Sequence, residues 1–182
     1  MHPDHDVDYG PLAALIGTWK GREGMDVAPE PDGPEENPFY ETLVVSPAGD
    51  VTNAESQTLI AVHYHQIVRR KSNDKVFHNE TGYWIWEPAT GAITQTFTIP
   101  RGISVIARGT VRQDGNTWIF EVSADASDIG QTPFLQQNAR TLRFAHTVEV
   151  TGDRMTYSET TLLDIYGRRF EHTDGDTLTR AE

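Results

Sequence analysis

The chain has 182 residues, of which 37% are hydrophobic and 23% are charged, and its formal net charge is −12. This length suffices for one domain with a substantial core, and the acidic balance would repel a polyphosphate, so we expect no nucleic-acid partner. No apolar run approaches the roughly 18 residues of a membrane helix. The acidic N-terminus lacks the apolar stretch of a secretion signal. Since cysteine is absent, disulfides and thiolate ligands are excluded. We therefore expect a cytoplasmic protein without membrane contact.

The first predicted element is a short helix in GPLAALIG, ended by Gly17 and preceded by a flexible N-terminus at residues 1–9. The segment from Pro29 to Pro38, PEPDGPEENP, follows with four prolines and four acidic residues. Proline removes a backbone donor, and so many charges resist burial. This composition predicts an exposed loop over residues 29–38.

From Phe39 onward the apolar residues recur with a period of two, which is typical of half-buried strands. The clearest case is TLRFAHTVEV, in which one predicted face carries Leu142, Phe144, His146, Val148 and Val150. Hairpin signals separate the predicted strands, among them SPAGD, KSNDK, EPATG, RQDGN and VTGDR. About ten short antiparallel strands indicate an all-β fold that closes into a barrel, because closure removes the exposed edge strands. A barrel of this width tends to enclose a ligand cavity.

The stretch IGTWKGREG resembles the opening of small ligand-binding barrels such as the lipocalins and fatty-acid-binding proteins. Its G-x-W-x-G pattern consists of Gly17, Trp19 and Gly21. The physical interpretation is that Trp19 plugs one end of the barrel while the glycines allow close approach of the backbone.

Further motifs resemble the nitrobindin family in order and spacing over roughly Leu15 to Arg180. They are YHQIVRR at residues 64–70, HNETGYW at 78–84, a P-x-G at 100–102 and a G-T at 109–110. The most specific is H-x-E-x-G-Y-W, which the chain matches fully with His78, Glu80, Gly82, Tyr83 and Trp84.

This resemblance implies one ten-stranded barrel domain over residues 1–182 that holds ferric b-type haem through a histidine of the last strand. It also implies reversible binding of nitric oxide and, with haem bound, the isomerisation of peroxynitrite to nitrate. By position, His172 looks like the iron ligand and His78 like a residue of the cofactor pocket. Arg101, in a loop at the expected pocket mouth, could pair with a haem propionate or another carboxylate. No catalytic residue is assigned, and both a monomer and a homodimer stay open.

The chain departs from the family pattern at two places. The third glycine of the opening motif falls at Gly24 rather than at position 23, which is Glu23. The usual ending resembles H-L-x-A-x-L-x-R/K, whereas this chain has HTDGDTLTR, in which the histidine-to-leucine distance is one residue longer. One extra residue reverses side-chain direction along a strand unless a bulge or turn absorbs it. Because D-G-D could form such a turn, His172 could point into the barrel or lie at its surface.

Other histidines offer alternatives. His146 is predicted to point inward and to be held by a neighbouring hydroxyl rather than to bind a ligand. His63 and His65 alternate with Tyr64 and Gln66 and could chelate a metal together with an inward acid, although two ligands make a weak site.

The leading functional hypothesis is a nitrobindin-like haem protein. The alternative is a barrel without haem that carries a small apolar or carboxylate ligand, and the altered ending keeps this alternative open. A weaker third hypothesis is the metal-dependent barrel that uses His63 and His65.

Overall fold

The structure, a computed structural model, describes residues 7–181. Of the segment 1–9 that the sequence predicted to be flexible, residues 1–6 lie outside this range. Val7 and Tyr9 pack against the core, and the Tyr9 hydroxyl accepts a 3.1 Å hydrogen bond from the amide of Gly49. The described part of the segment is therefore packed onto the barrel, and the flexibility of residues 1–9 stays a prediction.

The described residues form eleven strands, two short 3₁₀ helices and one α-helix. The 3₁₀ helices are Gly10–Ala14 and Ala126–Asp128, and α1 is Pro133–Asn138. The strands are β1 (Gly17–Glu30), β2 (Gly33–Asn53), β3 (Gln57–Arg70), β4 (Val76–Glu87), β5 (Ala92–Ile99), β6 (Ile103–Asp114), β7 (Thr117–Asp125), β8 (Ile129–Gln131), β9 (Ala139–Thr151), β10 (Arg154–Ile165) and β11 (Arg168–Arg180).

Ten of these strands close into an antiparallel barrel. Hydrogen-bonded neighbours follow the order β5-β4-β3-β2-β1-β11-β10-β9-β7-β6, and pairing of β5 with β6 completes the ring. The eleventh, β8, adds to β6 through residues 103–105. The predicted all-β closed barrel is confirmed. Within residues 7–181, no helix is both long and apolar enough to cross a membrane.

The segment 29–38 is not the loop that its composition predicted. β1 continues to Glu30 and β2 starts at Gly33, so residues 31 and 32 form a tight turn between two long strands. Pro29 stands directly opposite Pro34 in this hairpin. Both prolines lack a backbone N–H, and because they are opposite each other, the missing hydrogen-bond donors fall at a single pair of the two strands. The strands can therefore continue to pair beyond that position.

Two bulges adjust which residues face inward. β1 has one extra residue between Gly21 and Gly24 relative to β2, at the place where the third glycine of the opening motif is displaced. On β9 the register shifts so that Thr141 pairs with Leu163 and Arg143 with Leu162. Thr141 is consequently buried and Leu142 only half-buried, which corrects the predicted inward position of Leu142.

The first 3₁₀ helix covers one end of the barrel and confirms the predicted N-terminal helix in a tighter form. Leu12 of this helix is almost completely buried, and so are Leu15 and Trp19, which follow it in the chain. The Trp19 indole N–H donates to the carbonyl of Leu15 at 2.8 Å, and the Arg180 guanidinium lies 4.1 Å from the Trp19 ring centroid. Trp19 therefore plugs this closed end, as its motif predicted.

Candidate functional site

A cavity of about 350 Å³ lies at the other end of the barrel, which we call the open end. This volume falls in the range of about 300 to 1,000 Å³ found for small-molecule sites. Polar and charged side chains line it mainly from β1, β3, β4 and β11, together with Glu159 of β10. Its apolar wall comes mainly from β5, β6 and β9 and from the last residues of β10. That wall includes Phe97, Ile99, Ile103, Val105, Phe144 and Leu163.

His172 lies on the inner face of β11 and lines this cavity. The D-G-D sequence makes no turn, because β11 pairs with β10 in constant register from Ile165 opposite Arg168 to Arg154 opposite Thr179. Alternate residues of an unbroken strand share a face, so His172 faces the same way as buried Leu178. The alternative of a surface histidine in a turn is wrong. The role of His172 as an iron ligand stays a prediction.

The imidazole of His172 is held by Asp26 of β1. Its Nε2 lies 2.5 Å from Asp26 Oδ1, and Asp26 is itself buried. The second oxygen, Oδ2, accepts a hydrogen bond from Asn37 Nδ2 at 3.2 Å. Asp26 is 146 residues away from His172 in the chain, so the sequence alone did not link the two residues.

Three carboxylates, which we call the carboxylate row, cross the wall beside His172. Asp26 of β1 is directly opposite Asp174 of β11, and Asp174 is directly opposite Glu159 of β10. All three line the cavity. Burial raises the pKa of Glu159 well above its usual range, and the charge of Asp174 adds to that shift. Burial also raises the pKa of Asp174, against the opposing influence of His172.

His78 of β4 lines the cavity as well, and its Nε2 lies 3.3 Å from the Glu80 carboxylate. Burial lowers the pKa of His78, but the hydrogen bond and negative charge of Glu80 outweigh burial, so the net shift is upward. The other Glu80 oxygen accepts a 2.5 Å hydrogen bond from the Tyr64 hydroxyl. That hydroxyl in turn accepts one from Gln95 Nε2 at 2.8 Å. His78 is thus the cavity end of a polar network that runs into the core.

His146 ends the same network deeper in the barrel. Its Nδ1 lies 3.0 Å from Gln95 Oε1, so its partner is an amide and not the predicted hydroxyl. Its inward direction is as predicted, and its Nε2 is buried without a hydrogen-bond partner among the described residues. Burial lowers the pKa of His146 to about 4. The ring is therefore neutral near pH 7 and lines a separate small void of about 30 Å³.

Two arginines contribute to the cavity wall. Arg101, between β5 and β6, is exposed and lines the cavity, in the position predicted for it. Arg70, at the end of β3, also lines the cavity, and its guanidinium lies 5.0 Å from the centroid of the Phe77 ring. The Nε of Arg70 is buried and has no hydrogen-bond partner within residues 7–181. In the sequence Arg70 appeared only as the last residue of the YHQIVRR motif, so its place at the site was missed.

His63 and His65 face the outside of the barrel. His63 Nε2 lies 2.8 Å from the Thr81 hydroxyl, and His65 Nε2 lies 2.9 Å from Asn79 Oδ1. Tyr64, which alternates with them, is buried inside. The third hypothesis is therefore wrong, because these imidazoles and any inward acid lie on opposite faces of the wall.

The cavity residues fit a haem group in their donor chemistry. A histidine that lines the cavity from a rigid strand can ligate haem iron, and an apolar wall suits the macrocycle. The unpartnered buried Nε of Arg70 leaves a guanidinium donor free for a carboxylate.

A closed antiparallel barrel with a cavity at one end defines a small-molecule-binding β-barrel. Residues 8–180 match the model of the THAP4-like, heme-binding beta-barrel domain, and the chain belongs to this family. The resemblance to nitrobindins that the motifs indicated is thereby confirmed.

Individual relatives agree with this family. The chain is 28% identical over 160 residues to peroxynitrite isomerase 1 of Mycolicibacterium paratuberculosis, covering 87% of this chain and 86% of the relative. It is equally similar, with the same coverage, to peroxynitrite isomerase 2 of Mycobacterium avium. The crystal structure of Rv2717c from M. tuberculosis superposes with a TM-score of 0.71 at 23% identity, covering 97% of this chain and all of that one. At this identity the superposition establishes the fold.

Proposed function

We propose that the cavity binds ferric b-type haem, that His172 would hold its iron, and that the loaded protein binds nitric oxide and isomerises peroxynitrite to nitrate. The observation that carries the proposal is the inward imidazole of His172 on the last strand of the barrel, in the cavity of the open end. Membership of the haem-binding family and similarity to two peroxynitrite isomerases support the same chemistry. When bound, ferric haem supplies a Lewis-acidic iron for an anionic oxidant.

The chain's own residues would hold and orient this group. Asp26 fixes the His172 ring through the 2.5 Å contact, and a carboxylate partner raises the basicity of a ligating imidazole. Arg101 and Arg70 provide guanidinium groups for the propionates. Burial raises the pKa of Glu159 well above its usual range, which favours the neutral form of this carboxyl. A neutral carboxyl at the cavity wall repels an anionic oxidant less than a carboxylate would.

The test is reconstitution of the purified chain with hemin. We expect a sharp Soret band in the wild-type protein and its loss in His172→Ala. The matched control is His65→Ala, since His65 carries the same ring on the outer face, where its Nε2 lies 2.9 Å from Asn79 Oδ1. The peroxynitrite decay rate of the loaded protein should follow the Soret band across the three proteins. A spectrum indistinguishable from free hemin, or a band that survives in His172→Ala, would refute the assignment.

A second candidate function rests on the apolar wall formed by residues such as Phe97 and Phe144. The barrel could carry a small apolar ligand without haem. The carboxylates of the opposite wall disfavour a carboxylate ligand in the interior, because a buried like charge is costly. If hemin does not bind, saturable uptake of a fluorescent apolar probe that is abolished by Phe97→Glu would support this function.

A further inference from the structure

The carboxylate row places three acidic side chains side by side on one inner face. Directly opposite residues of neighbouring antiparallel strands have Cα atoms about 4.5 to 5.5 Å apart and side chains on the same face. Asp174 occupies the central strand, with Asp26 on one side and Glu159 on the other. Like charges directly opposite one another destabilise a sheet, so an arrangement of this kind calls for a compensating positive charge.

The protein supplies little of that charge itself. Within residues 7–181, no lysine or arginine forms an ion pair with any of the three carboxylates, and His172 is their one ionic partner, through Asp26. The carboxylates of Asp174 and Glu159 receive no hydrogen bond from a described side chain or turn. Both are half-buried, and both line the cavity. Each is thus an acceptor that faces the same space without a donor.

The same space presents a metal-ligand geometry. One oxygen of Asp26, one oxygen of Asp174 and one ring nitrogen of His172 all lie within 4.8 Å of one another. The ring nitrogen and Asp26 Oδ1 are already 2.5 Å apart, and Asn37 fixes the other oxygen of Asp26. An ion placed among these atoms would reach three ligands with small side-chain adjustments, and Glu159 lies outside this group, on the neighbouring strand opposite Asp174.

We propose that Asp26, His172 and Asp174, with Glu159 beside them, form a binding site for a divalent transition-metal ion in the haem-free protein. Two or three carboxylate oxygens with one imidazole suit ions such as Mn²⁺, Fe²⁺ or Zn²⁺. This site is distinct in chemistry from haem binding, but it uses the same imidazole, so the two occupants compete for His172. The proposal does not depend on the proposed function.

The experiment is a titration of the haem-free full chain with Mn²⁺, followed by the electron paramagnetic resonance signal of the free ion. We expect one equivalent to bind, and its dissociation constant to rise at least tenfold in Asp174→Asn, which preserves the shape of the side chain. Asp164→Asn is the matched control, because it removes the same charge from an exposed position on β10. It should bind Mn²⁺ as the wild-type protein does.

Thermal unfolding provides a second readout that also shows whether the variant is folded. Mn²⁺ should raise the melting temperature of the wild-type protein and of Asp164→Asn but not that of Asp174→Asn, because an ion that binds only the native state stabilises it. Absence of Mn²⁺ binding in the wild-type protein, or equal binding by both variants, would overturn the proposal. Hemin added to a protein that binds haem through His172 should release the ion. A missing Soret band together with intact Mn²⁺ binding would refute the haem proposal alone. A Soret band that depends on His172, together with absent Mn²⁺ binding, would refute the metal site alone.

Discussion

The closed and open ends of the barrel are built from the same strands but differ in how their buried groups are satisfied. β1 contributes Trp19 to the closed end and Asp26 to the open end, and β11 contributes Leu178 and His172 respectively. At the closed end the burial is apolar, and the indole N–H of Trp19 has its acceptor. At the open end the same two strands bring together an imidazole and carboxylates, not all of which have donors. The closed end is therefore a satisfied apolar plug, whereas the groups with unusual chemistry lie at the open end.

This division explains how the open end can hold groups that resist burial. A buried carboxylate without a charge or hydrogen-bond partner costs free energy, which the rest of the fold has to offset. The closed end offsets it through apolar area, since Leu12, Leu15 and Trp19 expose 1% or less of their surface. Titratable groups that line a cavity with shifted pKa values and without hydrogen-bond partners are typical of a binding or catalytic site.

Removing the Trp19 side chain is the most severe test of the difference between the closed and open ends. Trp19→Ala should lower the free energy of unfolding by about 3 to 5 kcal/mol, because truncating a fully buried aromatic side chain leaves a cavity. Urea unfolding measures this loss. Phe134→Ala serves as the control and should change stability by less than about 0.5 kcal/mol, since Phe134 is 70% exposed. A loss for Trp19→Ala as small as that of the control would show that the closed end is not the main source of stability.

Glu41 lies between the two ends and is a buried acid whose carboxyl group has hydrogen-bond partners. It accepts hydrogen bonds from Gln66 Nε2 at 2.5 Å and from the Tyr157 hydroxyl at 2.9 Å. Burial nevertheless raises the pKa of Glu41 to about 8, with the two hydrogen bonds opposing the shift. Since the folded-state pKa exceeds the unfolded one, the stability from this group is fully present below about pH 4.5. It is lost as the pH rises through about 8.

Glu41→Gln should therefore flatten the pH dependence of stability. We expect the wild-type protein to lose on the order of 4 kcal/mol more than Glu41→Gln between pH 5 and pH 9. The stability of the wild-type protein falls by about 1.4 kcal/mol for each pH unit at which Glu41 would be ionised in the unfolded chain but stays neutral in the folded one. Urea unfolding at a series of pH values measures the difference. Glu36→Gln, at an exposed position of the same strand, should retain the wild-type slope. Parallel curves for the wild-type protein and Glu41→Gln would show that Glu41 titrates normally.

The sequence predicted the closed end better than the open end because different physical information determines them. Alternation of apolar residues and hairpin signals is local, so the barrel, the N-terminal helix and the Trp19 plug could be read from short segments. The place of His172 on the last strand followed from the family resemblance. Its direction depended on whether D-G-D would turn, and pairing of β11 with neighbours on both sides kept the strand straight.

The carboxylate row could not be predicted, because it exists only through the register of strands far apart in the chain. Asp26 meets Asp174 after the β1 bulge has shifted the pairing by one residue between Gly21 and Met25. One residue of slip would move Asp26 to the outer face. The hairpin at residues 29–38 was missed for a related reason. Its many prolines and charges indicate that the segment is largely exposed, but they do not reveal that β1 and β2 continue to pair as far as Glu30 and Gly33.

The smallest expected effect concerns the rim of the open end. Arg101→Ala should weaken hemin binding by about two- to fivefold, because an ion pair between an exposed arginine and a propionate contributes at most about 1 kcal/mol. Hemin titration at low ionic strength measures this change, and it should shrink at about 0.5 M salt because exposed charges are screened. Arg112→Ala, which removes an exposed arginine that lies 3.5 Å from Glu121, should leave hemin affinity unchanged. A loss of hemin affinity of about a hundredfold or more in Arg101→Ala that does not depend on salt would contradict this expectation. It would mean that the propionate and Arg101 form an ion pair shielded from water at the open end.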